Sequence, residues 1–316
     1  MEVIRGLESF PRQDGPVVLC LGTFDGVHRG HRALIDRALS RARELNGRCA
    51  VVTFDPHPVR VISSPPVPVL LTTLPERLDL LAELGTGLAV VVRFDEALRR
   101  RSADDWLRAL VDATGMRAVF CGPDYSFGHE RQGNVELLQR TGARDGFEVH
   151  TVPAVKIDGI VVSSTAIRHL VRAGNMKAAA RLLGRWYAVR GEVVRGDGRG
   201  VELGFPTANV LPPEDKVLPA TGIYATLVHT ADRVHGAATS VGTRPTFGGK
   251  EVVVEAHLLD FGGTLYGDTI RIQFVHRLRD EVTFPSVDAL IAQMHGDVAA
   301  TRRTLAAAAA EPFGES

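Results

Sequence analysis

The sequence predicts two domains of different class: an open, mostly parallel α/β sheet, then an antiparallel β-barrel or sandwich closed by one amphipathic helix. Three observations predict this. From residue 17 to about 184, short apolar runs alternate with stretches of helical period, the pattern of successive βα units. From residue 187 to 274, short runs follow one another across Gly, Pro and Asp turns with no helical stretch between them, which is the pattern of an antiparallel domain. The length of 316 residues exceeds what one small core organises. The change of character at Leu182-Leu183-Gly184-Arg185 sets the expected boundary, with domains at 1–184 and 185–316.

Each element follows from its own pattern. Val17-Val18-Leu19-Cys20-Leu21 is apolar throughout, as a strand buried on both faces must be. Further strands are expected at 49–54, 88–94, 118–121 and 149–153. Helices are expected at 32–45, where Leu34, Ile35, Ala38, Leu39 and Ala42 share a face, and at 75–84, 103–114 and 134–145. In the second domain strands are expected at 187–194, 223–229, 237–241, 252–261 and 269–274. The helix at 286–307 carries Leu290, Ile291, Met294 and Val298 on one face, and the chain from Ala306 onward reads as a fraying end. Pro65-Pro66-Val67-Pro68 reads as a rigid loop.

Composition narrows the function. Lys plus Arg and Asp plus Glu both number 37, which argues against a general nucleic-acid binder. The cluster Arg99-Arg100-Arg101 then reads as a solvated helix face. Hydrophobic residues at 45% and charged residues at 23% are ordinary for a globular chain. Cys20, Cys49 and Cys121 lie in or at the ends of apolar runs without a CxxC pair. They read as buried reduced thiols of a cytoplasmic protein, with neither disulfide frame nor zinc site. No stretch approaches the roughly 18 apolar residues of a membrane span, so no membrane partner is expected.

The chemistry is densest at residues 22–31, Gly-Thr-Phe-Asp-Gly-Val-His-Arg-Gly-His, directly after the first buried run. Gly22, Gly26 and Gly30 allow backbone N–H groups to approach a polyphosphate, and a helix beginning near Gly30 offers it a positive N-terminus. His28 and His31 can then donate to oxygens that gain charge as a pyrophosphate leaves. Capping or surface histidines are the alternative, and the strand, glycine turn and amphipathic helix around the pair favour phosphate chemistry. A second candidate is Ser163-Ser164-Thr165-Ala166-Ile167-Arg168. Ser164 or Thr165 could simply cap a helix, yet a guanidinium at Arg168 on its first turn is unfavourable without an anion nearby.

In the second domain, Gly204-Phe205-Pro206-Thr207-Ala208-Asn209 follows the loop Arg195-Gly196-Asp197-Gly198-Arg199-Gly200. Either this is turn chemistry beside an edge strand, or Thr207 and Asn209, two apart on an extended segment, present oxygens to a Mg²⁺ that bridges phosphates. Glu255 sits in the apolar run 252–258, as a solvated-face residue or as a general base that deprotonates a hydroxyl attacking the γ-phosphorus of ATP. A GxxxxGK[ST] run is absent from the sequence, which excludes a P-loop kinase.

These motifs resemble those of the bifunctional bacterial riboflavin kinase/FMN adenylyltransferase family, also called FAD synthetases. The resemblance rests on residues 22–31 and 163–168, on Thr53-Phe54-Asp55-Pro56-His57-Pro58 and on Gly122-Pro123-Asp124-Tyr125-Ser126-Phe127-Gly128. In the second domain it rests on 204–209, Gly222-Ile223-Tyr224-Ala225, Gly242 with Pro245-Thr246-Phe247, Glu255 with His257, and Leu265-Tyr266-Gly267. It implies a Rossmann-like nucleotidyltransferase domain followed by a riboflavin kinase barrel with a C-terminal helix. The barrel would phosphorylate riboflavin with ATP and Mg²⁺ to FMN, and the first domain would adenylylate FMN with a second ATP to FAD, releasing pyrophosphate.

By the same resemblance His28, His31, Arg168 and Glu255 are the expected catalytic residues. Gly22, Phe24, Asp25, Gly30, Ser164 and Thr165 would bind ATP, His57 and Asp124 would position the flavin substrate, and Gly204, Thr207 and Asn209 would serve ATP and Mg²⁺ in the kinase. Two departures are visible: the family usually has Phe-Arg at Tyr125-Ser126, and many members have Asn-Ile-Gly at Ser240-Val241-Gly242. Ser240 is therefore given no role. A monomer or weak homo-oligomer is expected. Two other readings are a different HxGH nucleotidyltransferase, which leaves the second-domain motifs unused, and a flavin-binding protein without turnover.

Overall fold

Apolar runs fall where a parallel sheet needs them, and the polar breaks between them carry the turns. The computed structural model describes residues 1–63, 69–196, 198–246 and 249–310; the loop expected at 65–68, Asp197, Phe247 and the tail 311–316 lie outside them. The chain divides into two compact units, Met1–Ser164 and Thr165–Ser316.

The first unit runs β1 (Glu2–Arg5), β2 (Val17–Leu21), α1 (Arg29–Glu44), β3 (Arg48–Asp55), α2 (Pro58–Ile62), α3 (Leu74–Glu83), β4 (Leu88–Arg93), α4 (Glu96–Arg99), α5 (Ala103–Thr114), β5 (Met116–Cys121), α6 (Val135–Asp145) and β6 (Glu148–Thr151), then the small hairpin β7 (Lys156–Ile157) and β8 (Ile160–Val161). The six long-sheet strands lie in the order β1-β4-β3-β2-β5-β6, and every pairing is parallel. Strand β2 is central, and its side chains divide by the two-residue period of a strand. Val17, Leu19 and Leu21 join Trp106, Leu107 and Leu110 of α5 and Leu138 of α6. Val18 and Cys20 join Leu34, Ile35 and Ala38 of α1 and Leu81 of α3 on the other face.

Local chemistry sets the helix ends. Thr73 and Glu76 form a reciprocal capping box at α3. Ser102 caps α5 by accepting from Asp105 N–H, and Gly115 ends it in the left-handed region at φ 55°. Helix α1 begins at Arg29, ahead of the expected start, because His28 caps it. Strand β1 is an addition to the expected five: only Ile4 of its four residues is buried, so an edge strand of this kind carries little apolar signal. Arg99 and Arg100 stay exposed and pair with Glu96 at 3.1 and 2.8 Å, as a solvated helix face requires.

The three thiols are buried and free. Burial raises the Cys20 thiol well above its usual range and pushes Cys121 up to about 11, so both are protonated at neutral pH.

The second unit runs α7 (Ser164–Arg172), α8 (Met176–Leu183), β9 (Tyr187–Val194), α9 (Arg199–Glu202), β10 (Ala208–Leu211), β11 (Gly222–His229), β12 (Val234–Thr246), β13 (Gly249–Leu258), β14 (Thr269–Arg279) and α10 (Val287–Ala310). The six strands close into a barrel in the order β10-β13-β12-β11-β14-β9. Every pairing is antiparallel. Tyr224 and Phe274 meet edge to face in its core at 5.3 Å.

Two expectations are corrected here. The stretch between the first two barrel strands holds the short helix α9, where no helix was expected. Helix α10 continues to Ala310, so the alanines at 306–310 are helical and not a fraying end, in keeping with the high helix propensity of alanine.

Helix α10 is fastened to the barrel by a charge pair. Asp297 is 6% exposed and accepts from Arg279 Nε at 2.9 Å and Nη2 at 2.6 Å, while Gln293 Nε2 donates to the same carboxylate at 2.9 Å. Breaking such a pair leaves a guanidinium without its counter-charge. Asp297→Ala is expected to destabilise the second unit by about 3 kcal/mol, read as an earlier melting transition by circular dichroism.

Candidate active sites

In the first unit the loops after β3, β2 and β5, three neighbouring parallel strands, carry His57, residues 22–28 and Asp124. The carboxyl edge of a parallel sheet is where such folds bind ligands. The loop after β2 is tightly wound: Phe24, Gly26 and Val27 have φ of 52°, 82° and 37°. At Gly26 a Cβ would stand 2.7 Å from Leu71 Cδ1, so glycine is required for space as well as for conformation.

Asp25 governs this loop. It is completely buried, and its carboxylate accepts from Leu71 N–H, Thr72 N–H and the Thr72 hydroxyl at 3.0–3.1 Å. Gly26 N–H donates to Thr72 Oγ1 at 3.0 Å. A buried carboxylate that accepts from these donors holds the loop in shape. Ser164 Oγ donates to the Asp25 carbonyl at 2.8 Å, which brings the second sequence candidate to the same loop.

The two histidines stack, with ring centroids 3.6 Å apart and planes 14° from parallel, and the Phe24 ring meets His31 edge-on at 5.2 Å. His28 Nδ1 accepts from His31 N–H at 3.3 Å. Its lone pair is used there, so the ring proton of neutral His28 resides on Nε2. His28 thus caps α1, which orients its ring as an Nε2–H donor at the positive end of a sixteen-residue helix. At Gly30 a Cβ would lie 3.2 Å from the His28 ring, so the glycine makes room for the stack.

His57 repeats the device: its Nδ1 accepts from Val59 N–H at 3.1 Å at the start of α2. Asp124 is exposed on the turn after β5. Next to it, Arg131 Nε donates to Ser126 Oγ at 2.8 Å, which sets a guanidinium beside the position where the family usually has arginine. Sequence reading missed Arg77. It is 1% exposed and donates from Nη1 to Thr53 Oγ1 at 3.2 Å and to the Phe54 carbonyl at 3.1 Å, while Thr53 Oγ1 donates to the Thr23 carbonyl. Its signal was an arginine four residues before Leu81 on the buried stripe of α3. Thr165 and Arg168 belong to α7 in the second unit, Thr165 exposed and Arg168 half-buried.

The second site lies on the barrel. Asn209 on β10 is paired directly with Glu255 on β13, and Ser240 on β12 is paired with Glu255 from the other side. Along β13, Val254, Ala256 and Leu258 are buried in the barrel while Glu255 and His257 face outward. They line a cavity of about 230 Å³ together with Phe205, Thr207 and Ser240. Arg279, Glu281, Leu290, Met294, Asp297 and Val298 supply much of the remaining wall. The apolar face read from the sequence of the last helix is thus turned largely to this cavity. Asp297 was missed, although a lone acid between Met294 and Val298 on that face is the signal.

Thr207 and Asn209 are wrapped by glycine backbone. A Cβ on Gly196 would stand 2.5 Å from the Asn209 side chain, and one on Gly200 would stand 3.4 Å from Thr207 Oγ1 and 2.4 Å from the Phe205 carbonyl. Gly204, at φ 81°, turns the chain from α9 into this segment. Among the described residues no cluster of three His, Cys, Asp or Glu side chains could hold a metal. A hard cation here would rest on the hydroxyl and amide oxygens with phosphates and water as further ligands.

Imidazole donors at a helix end in one unit, and glycine-wrapped oxygens beside a carboxylate in the other, are equipment for group transfer at phosphorus; the fold and sites define a two-domain nucleotide-dependent transferase. Comparison with known proteins agrees. The family model for FAD synthetase matches residues 10–166 and that for riboflavin kinase matches residues 183–305. A bifunctional riboflavin kinase/FMN adenylyltransferase from Pseudomonas fluorescens is 36% identical over 98% of this chain and 99% of its own length. The protein of that name from Escherichia coli K12 is 36% identical over 94% and 96%. A crystal structure described as a macrolide-efflux protein from Streptococcus pneumoniae covers 96% of this chain and 99% of its own at TM-score 0.88 and 30% identity. The chain belongs to the bifunctional riboflavin kinase/FMN adenylyltransferase family.

Asp25→Asn is expected to set an amide NH₂ against the donors of Leu71 and Thr72 and to lower stability by about 2 kcal/mol. Thermal unfolding of the two proteins side by side reads this.

Proposed function

We propose that the barrel phosphorylates riboflavin at the expense of ATP to give FMN, and that the α/β unit transfers AMP from a second ATP to FMN, giving FAD and pyrophosphate. The observation that carries this is the pairing of Glu255 with Asn209 across β10 and β13, beside a cavity, in a chain that also presents His28 and His31 at a helix N-terminus. The division of labour, 1–184 for adenylyl transfer and 185–316 for the kinase, keeps Thr165 and Arg168 with the first activity.

In the kinase step, Glu255 accepts the proton of the flavin's terminal ribityl hydroxyl as that oxygen attacks the γ-phosphorus, and ADP leaves. Thr207 and Asn209 would hold Mg²⁺ and phosphate oxygens, with Gly204 allowing the backbone to approach them. Bound there, Mg²⁺ would supply charge neutralisation for the nucleotide phosphates.

In the adenylyl step the FMN phosphate is already a competent nucleophile, so alignment and charge stabilisation matter more than a base. His28 and His31 donate to the triphosphate as pyrophosphate departs. Gly22, Phe24, Asp25 and Gly30 shape its bed, Ser164, Thr165 and Arg168 take its distal part, and His57 and Asp124 position FMN. The reading takes the protein as a cytoplasmic monomer or weak homo-oligomer that acts on small molecules, with no nucleic-acid or membrane partner. In support, basic and acidic residues balance at 37 each, and among the described residues no helix is long and apolar enough to cross a membrane.

Incubation with riboflavin, ATP and Mg²⁺, followed by chromatography, is expected to show FMN before FAD; neither product would overturn the reading. His31→Ala is expected to lower adenylyl transfer by at least about a hundredfold, the scale of losing one transition-state donor, with kinase activity intact. Glu255→Ala is expected to do the reverse. Equal losses of both activities in either variant would overturn the two-site assignment.

A further inference from the structure

We infer that His257 is a positioning residue of the kinase step: its imidazole fastens the Pro206-Thr207 backbone so that the Thr207 hydroxyl is held in register with Glu255. This rests on the reading of the barrel cavity as the kinase site. His257 Nδ1 lies 2.9 Å from the Pro206 carbonyl oxygen. A carbonyl can only accept, so Nδ1 carries the proton, whether the ring is neutral or charged. The hydrogen bond therefore forms in both protonation states.

The surroundings make this contact a brace for the loop. Ala208 pairs with Ala256 and Asn209 with Glu255, so one step back along the chain brings Thr207 level with His257. Regular pairing ends at Ala208, and the His257–Pro206 bond continues the attachment past the last ladder position. The ring of Phe205, the residue before Pro206, packs edge to face on His257 at 5.2 Å and on His295 of α10 at 5.0 Å. Proline lacks an N–H, so Pro206 can join a neighbouring strand only through its carbonyl, and His257 supplies the donor for it. Two residues along the same strand face stands Glu255. One strand thus carries both the base and the fastener of the segment that holds nucleotide oxygens.

The test uses the full chain and two variants. His257→Phe keeps a ring against Phe205 and removes the donor; His257→Asn retains an N–H close to the Nδ1 position. Initial rates of riboflavin phosphorylation are measured against ATP with Mg²⁺ and against riboflavin, alongside amide hydrogen exchange of residues 204–209 in ligand-free protein. For His257→Phe, KM for ATP with Mg²⁺ is expected to rise about tenfold, the scale of one well-made hydrogen bond. KM for riboflavin should stay within about twofold, and the pH profile should keep its shape because the brace forms in both charge states. Exchange at 204–209 should quicken, and His257→Asn should recover much of both effects.

FAD formation from supplied FMN should be unchanged in both variants and reports that the first unit is intact, while an unshifted thermal transition of the second unit by circular dichroism reports that the barrel is folded. An unchanged KM for ATP with unchanged exchange would overturn the inference. So would a fall in kcat that removes one limb of the pH profile at constant KM, since that marks an acid–base group. Equal increases in both KM values would overturn it as well. Failure of the unmodified chain to phosphorylate riboflavin would instead overturn the kinase reading, and this inference with it.

Discussion

The carboxylate of Asp25, taken out of water and given back an equivalent number of amide and hydroxyl donors, is the interaction on which the first unit's chemistry depends. It joins the loop after β2 to residues 71 and 72, two segments far apart in sequence, and fixes a backbone in which Phe24, Gly26 and Val27 stand at positive φ. Such a loop stores conformational strain. Without the buried anion it would have no reason to keep the shape that sets His28 at the N-terminus of α1. Catalysis at phosphorus through alignment and charge stabilisation needs this kind of rigidity, because the donors must already be in place when charge develops.

The barrel solves the same problem by strand pairing. Register alone sets Asn209 and Ser240 on either side of Glu255, and alternation along β13 sends Val254 and Ala256 into the core while it turns Glu255 and His257 to the cavity. A slip of one residue would bury two ionisable groups and expose two apolar ones, so the cost of misregister protects the site. Closure of the six strands adds to this protection, since a shift in one pair must be matched around the ring. Helix α10 then completes the cavity, held by Arg279 through Asp297.

Much of this was legible in the sequence, and for identifiable reasons. The run 17–21 had to be a doubly covered strand, and 103–114 coincides with α5 because Ser102 and Gly115 punctuate it at both ends. Strand β1 escaped because an edge strand with one buried residue has no pattern to read. Helix α9 and strand β10, four residues each, are too short for periodicity. Among site residues, the histidine pair was found by motif and its tautomer only by geometry, since the Nδ1 acceptor role depends on where the helix starts. Asp25 stood out in the motif, but its bonds to the amides of residues 71 and 72 were not legible, because they depend on a segment more than forty residues away. Arg77, Asp297 and the His257–Pro206 contact depend on tertiary neighbours and left only faint traces in pattern.

One feature of the core has a practical side. The three cysteines of the chain, Cys20, Cys49 and Cys121, all stand in the first unit, on three adjacent strands, and all are buried. A thiol reacts as thiolate and only when reached, so alkylating reagents meet none of them while the sheet is closed. The second unit contributes no sulfhydryl at all. Thiol modification of the whole chain is consequently a clock for the opening of the adenylyl-transfer unit alone, insensitive to what the barrel does.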